Sequence, residues 1–182
     1  MSKHRLVYYG GSFDPIHHGH EMIISWLSQN FEQVVVQASN NWTKDQSLFP
    51  LAQREAALRE LVKTYPNVIV RHNDGNILNT STYLIVEELS QTYREKPWIA
   101  IGSDNTRQLN RWKYWSELNN KYSFCVFNRA NYSVQYEMKN SWVIDLGLPS
   151  CSSTEIRQRA DQTQVPERIR AIYDWSLLKG VL

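Results

Sequence analysis

Asp14, His17, His18 and His20 fall within one short stretch, just after the paired glycines Gly10 and Gly11. His17 and His20 are three residues apart, so at a helix start they share one face. Two chemistries use such a set. By ligand type, Asp14, His17, His18 and His20 make a candidate metal site. Alternatively, His17 and His20 donate to a phosphate whose charge grows during reaction, while Gly10, Gly11 and Gly19 let backbone come close to it. Two further polar clusters lie far away in sequence, Gly102-Ser103-Asp104-Asn105 and Ser152-Ser153-Thr154-Glu155-Ile156-Arg157. Asp104, beside Gly102, suits acceptance from ribose hydroxyls, or a cap for a turn beginning at Thr106. Ser152 and Glu155 have capping-box spacing.

The elements around these clusters alternate. Leu6 to Tyr9 reads as a buried strand, and Met22, Ile23, Trp26 and Leu27 recur at helical spacing from about Gly19 to Asn30. Gln33 to Ala38 is a second strand, rich in valine. A polar loop, Ser39 to Phe49, leads to a helix with Pro50 at its first position, running to Tyr65 before Pro66. Strands are expected at Val68 to Val70, Trp98 to Ile101, Ser123 to Phe127 and Trp142 to Leu146. Thr80 or Ser81 caps a helix reaching about Arg94, with Leu84, Ile85 and Leu89 inward, and Pro166 starts a C-terminal helix. Such alternation predicts an α/β fold, a doubly wound parallel sheet in a single domain with C-terminal helices. In that architecture the C-terminal strand ends share one edge, so the three polar clusters converge on one ligand.

Bulk properties narrow the function classes. The chain has 182 residues, 42% hydrophobic, with a net charge of +2, so nothing marks it as a nucleic-acid binder. No stretch has the length of a signal-peptide core or a membrane span, and a soluble cytoplasmic protein is expected. Cys125 and Cys151 make no disulfide framework or zinc knuckle; both are expected reduced, with Cys125 in a strand. Neither GxGxxG nor GxxxxGK[ST] occurs, which argues against a hydride-transferring dinucleotide fold and a P-loop enzyme.

The run Gly10 to His20 resembles the HxGH nucleotidylyltransferase superfamily, and specifically its nicotinate or nicotinamide mononucleotide adenylyltransferase branch. Ser152 to Arg157 resembles the SSTxIR signature of that family. Gly102-Ser103-Asp104-Asn105 resembles its GxDN segment, followed by Trp112, and Lys44 and Arg54 fit its lysine and arginine after the second strand. This resemblance implies a Rossmann-like fold and transfer of AMP from ATP to a pyridine mononucleotide, with Mg²⁺ accompanying ATP. It implies His17, His20, Lys44 and Arg157 as catalytic groups. The ATP site would comprise Gly10, Gly11, Ser12, Phe13, Gly19, Gly102, Asp104, Ser152, Ser153 and Thr154. Lys44, Arg54, Thr82, Trp112 and Arg129 would face the pyridine nucleotide. For Trp112, one of seven tryptophans, core packing is the competing role, and for Arg54 a solvated helix face is.

Departures from the pattern are local. Cys151 stands where the family more often has isoleucine. Asn79 to Tyr83 matches the segment that holds the pyridine substituent only through Thr82 and Leu84, leaving nicotinate and nicotinamide both open. The interval from Phe127 to Ser152 is short, which trims loops used in oligomer contacts, although a homo-oligomer stays compatible. Phosphopantetheine is the alternative acceptor, and a non-catalytic metal- or nucleotide-binding regulator is the alternative of a different class.

Overall fold

The computed structural model describes residues 4–39, 47–74, 81–129 and 138–180. Lys44, Asn79 and Thr80 lie outside the described residues. Six strands form one parallel sheet: β1 (His4–Gly11), β2 (Phe31–Ala38), β3 (Val68–Val70), β4 (Trp98–Gly102), β5 (Phe124–Phe127) and β6 (Ser141–Ile144). Their order across the sheet is β3-β2-β1-β4-β5-β6. Order therefore reverses between β1 and β4, and a crevice opens at the C-terminal ends of two such neighbours.

Strand periodicity explains how both faces are covered. Successive side chains on a strand point to opposite faces. Val7, Tyr9, Val34, Val36, Ala100, Cys125 and Phe127 enter one core with Ile23, Ile24 and Leu27 of helix α1 (His18–Asn30) and Leu58 and Leu61 of α2 (Leu51–Val62). Leu6, Tyr8, Val35, Ile99, Ile101, Phe124 and Val126 enter the other, against Ile85, Val86 and Leu89 of α3 (Thr82–Tyr93) and Leu118 of α4 (Trp115–Lys121). The continuous apolar runs in the sequence are strands buried on both sides.

Several elements differ from expectation. Val86 turns inward beside Ile85, while Leu84 stays half-buried. Pro50 caps α2 from outside, and the helix ends at Val62. A 3₁₀ helix covers Ser103–Arg111 with Gly102 at its cap position, so Asp104 lies in the first turn instead of capping a turn at Thr106. The Thr106 hydroxyl donates to the Ser103 carbonyl at 2.6 Å. After α5 (Ser153–Arg159), Pro166 opens only a short α6 (Glu167–Arg170), followed by 3₁₀ turn at Trp175–Gly180. These pieces are held by side chains: the Tyr173 ring meets Phe49 at a tilt with centroids 4.8 Å apart, and the Trp175 indole N–H donates to the Arg170 carbonyl at 2.8 Å.

Candidate active site

Gly10 and Gly11 end β1, and the chain turns through Ser12 and Phe13 into α1. Phe13 has φ 49°, the left-handed region that side chains rarely occupy, and its buried ring meets Tyr9 and His20 edge-on at 5.4 and 5.0 Å. Its side chain, expected in the ATP site, is buried against His20. Asp14 is the centre of the turn and is 4% exposed. One carboxylate oxygen accepts from the Phe49 N–H at 2.9 Å; the other accepts from the Leu48 N–H at 3.0 Å and pairs with the Arg157 guanidinium at 3.3 Å. Arg157 also donates to the Asp14 carbonyl.

Arg54 is 1% exposed, which removes the solvated-face reading. Its guanidinium donates to the carbonyls of Phe49 at 2.9 Å, Ser12 at 2.7 Å and Ser39 at 2.9 Å. The arginine expected to face the pyridine nucleotide thus lies below the β1 and β2 loop ends and joins them. Five main-chain groups of the two loops are satisfied by two buried side chains, Asp14 and Arg54, where unmade bonds would each cost about 1–3 kcal/mol.

His17 and His20 come together as the spacing requires. Their rings stack, centroids 3.7 Å apart and planes 24° from parallel. His17 precedes the first helical residue, and its backbone N–H donates to His20 Nδ1 at 3.2 Å. Burial pushes the His17 imidazole down to about 3, with Arg129 and His18 adding to the effect. Burial, then His17 and Arg129, likewise hold His20 well below the ordinary histidine range. Both rings are therefore neutral at pH 7. Because His20 Nδ1 accepts a hydrogen bond, the proton of that neutral ring sits on Nε2. Gly19 makes room: a Cβ there would stand 3.0 Å from His17 Cε1 and 3.1 Å from its Nδ1.

The fixed cation beside the histidines is Arg129. Its guanidinium donates to the Cys151 carbonyl at 2.5 Å and to Asp104 Oδ2 at 3.3 Å, and its backbone N–H donates to the Ser103 hydroxyl at 3.0 Å. Arg129 therefore joins the Gly102 and Ser152 segments, between groups expected to meet ATP, although the sequence places it with the pyridine nucleotide. Asp104 Oδ1 is buried without a hydrogen-bond partner among the described residues. Gly102 leaves room for that oxygen, since a Cβ would stand 2.3 Å from it and make the Asp104 side chain shift.

Ser152 caps α5, accepting from the Glu155 N–H at 3.2 Å, which is half of the capping box its spacing predicts; the Glu155 carboxylate accepts from the Ser152 hydroxyl at 3.1 Å and not from its backbone N–H. Ser153 donates to the Pro15 carbonyl at 2.9 Å, and Thr154 Oγ1 lies 3.5 Å from Arg157. The start of α5 is thus docked on the histidine loop. Thr82 begins α3, and Trp112 is half-buried against the second core, so packing occupies part of its indole. The four side chains of the metal alternative have separate partners: Asp14 as above, His18 on Glu21 at 3.3 Å, His17 Nδ1 on Cys151 and His20 Nδ1 on the backbone. Among the described residues no group of three His, Cys, Asp or Glu side chains is arranged to hold a metal ion. The structural roles of Asp14, Arg54 and Cys151 were not legible from residue type; the Asp-Pro pair at a strand end was the one available signal for Asp14.

Comparison with known proteins agrees with this arrangement. Residues 8–159 match the family model described as cytidylyltransferase-like. A probable nicotinate-nucleotide adenylyltransferase of Sulfurovum sp. is 31% identical over 177 residues, covering 93% of this chain and 92% of the relative. One from Chlorobium phaeobacteroides is 31% identical over 85% of this chain and 86% of its own length. In fold, the chain is similar to the Plasmodium falciparum nicotinic acid mononucleotide adenylyltransferase complexed with NaAD, with a TM-score of 0.75 at 17% identity, covering 93% of this chain and 94% of that one. The family match takes in the sheet's point of reversal, the stacked histidine pair and all three polar clusters, and it places this chain in the cytidylyltransferase-like family of nucleotidyltransferases.

Proposed function

We propose that this protein transfers the AMP moiety of MgATP to nicotinate mononucleotide, forming the dinucleotide used in NAD biosynthesis and releasing pyrophosphate. An oxygen of the mononucleotide phosphate attacks the α-phosphorus of ATP. The new P–O bond completes the dinucleotide bridge as the bond to the α,β-bridging oxygen breaks, and that electron pair leaves with pyrophosphate. The attacking phosphate has a second pKa near 6, so at neutral pH no strong base is needed. What the protein supplies is alignment and stabilisation of charge on the α-phosphate and leaving oxygens.

The observation that carries this reading is the stacked, neutral His17–His20 pair at the β1 end, with His20 Nδ1 engaged and its Nε2–H left as a donor. Arg129 adds a fixed positive charge close to both rings. The unpartnered Asp104 Oδ1 suits a ribose hydroxyl of the adenosine. Arg157, Ser152 and Ser153 are assigned to the β- and γ-phosphate side with Lys44, and Thr82 and Trp112 to the pyridine side. Magnesium enters as part of the ATP substrate, coordinated by phosphates and water. Nicotinate over nicotinamide is supported by the names of the curated relatives. A cytoplasmic location accords with two free cysteines.

The test is an acceptor panel. Purified protein given MgATP releases pyrophosphate fastest with nicotinate mononucleotide, more slowly with nicotinamide mononucleotide and not with phosphopantetheine. Release with phosphopantetheine alone would contradict the assignment.

A further inference from the structure

Cys151 lies 134 residues from His17, yet its Sγ is 3.4 Å from His17 Nδ1 in a buried contact. The sulfur is held from several sides. Gly19 packs beside it, where a Cβ would stand 3.9 Å from the sulfur. The Cys151 N–H donates to the Pro149 carbonyl at 2.8 Å, and its own carbonyl receives the Arg129 guanidinium. The residue is 6% exposed. Burial pushes its thiol up from the usual range, against the opposing pull of the Gly19 N–H, so the sulfur carries its proton at neutral pH. Two arrangements satisfy this contact, Nδ1–H donating to the sulfur or S–H donating to Nδ1, and the second is the one that presents an Nε2–H. That bond leaves the single His17 proton on Nε2, matching the tautomer that the His17 N–H imposes on His20. The groups facing His17 are His20, His18, Arg129 and Cys151, and Cys151 is the one placed on Nδ1.

We propose that Cys151 is a positioning residue for the transfer reaction: its thiol, buried against His17, donates to His17 Nδ1 and locks that ring as the Nε2–H donor. The inference rests on the adenylyltransferase reading for its kinetic consequence but not for the tautomer itself. Isoleucine at this position, the residue that the resembling family more often carries, fills the space without donating.

Two measurements test it. Long-range ¹H–¹⁵N spectra of the wild-type protein at pH 7, in which only five histidines contribute, show His17 protonated on Nε2 with Nδ1 bare. An Nδ1–H tautomer or an imidazolium would overturn the proposal without touching the assigned reaction. Kinetically, Cys151→Val keeps the volume and removes the donor, and lowers kcat on the order of tenfold with both KM values nearly unchanged, whereas Cys151→Ser retains a donor and keeps most of the turnover. Valine equal to or better than serine would overturn it. A wild-type protein without transferase activity but with the expected tautomer would instead sink the functional reading.

Discussion

His17 and His20 are rings held neutral and in place. His20→Ala removes the donor assigned above to the α-phosphate, and turnover falls by about 10² or more while the circular dichroism spectrum and unfolding midpoint stay close to wild type. Near wild-type turnover would remove His20 from the chemistry. Gly19→Ala acts indirectly, because its Cβ displaces the His17 ring from which it would stand 3.0 Å; a shift of that kind costs about 10² in kcat at little cost to folding. Acid stability reads the burial itself. His17 has a folded-state pKa of about 3, below its unfolded value, so its contribution is complete above pH 6.5 and is lost as the pH falls toward 3. Between pH 6.5 and 5 this ring alone withdraws on the order of 1.5 kcal/mol. Denaturant midpoints fall over that window, and His17→Asn shows a shallower fall; equal slopes would contradict a buried neutral ring. The pairing of His17 and His20 was legible from a spacing of three residues. Their charge state was not, since it depends on Arg129 and on burial by chain distant in sequence.

Elements determine whether those residues can meet. Strand positions were legible because side chains buried on both faces leave continuous apolar runs, as at Val34-Val35-Val36 and Phe124 to Phe127. Helical segments with weak patterning were missed: the 3₁₀ helix Ser103–Arg111 and α4 carry few buried residues each. Loop architecture was also hidden, because Asp14 and Arg54 work by bonding backbone groups of other segments, and backbone groups have no sequence signature. Both are directly testable. Asp14→Ala leaves the Leu48 and Phe49 N–H groups and the Arg157 guanidinium without their acceptor, and unfolding free energy drops by about 2–4 kcal/mol in denaturant titration. A loss below about 0.5 kcal/mol would show that the turn holds without it. Tyr173 of the C-terminal segment accepts from the Ile16 N–H at 3.0 Å, so the last helices also brace the histidine loop.

For the whole molecule, function follows from topology. The β1 and β4 ends lie side by side because the strand order reverses between them, which brings the Gly10 and Gly102 segments together, and docking of Ser153 on Pro15 adds the third cluster. Convergence of the three clusters was legible from alternating strands and helices; the bracing by Arg129 and Cys151 was not, since it required knowing which side chains the reversal makes neighbours. The reaction claimed for this crevice has a specific fate for each phosphate of ATP. Label in the α-phosphate must appear in the dinucleotide, and label in the γ-phosphate must leave in pyrophosphate. Incubating the purified protein with nicotinate mononucleotide and each labelled MgATP is the most direct measurement. The account predicts α-label in the dinucleotide and γ-label only in pyrophosphate; γ-label transferred to the acceptor, or no dinucleotide at all, would contradict it.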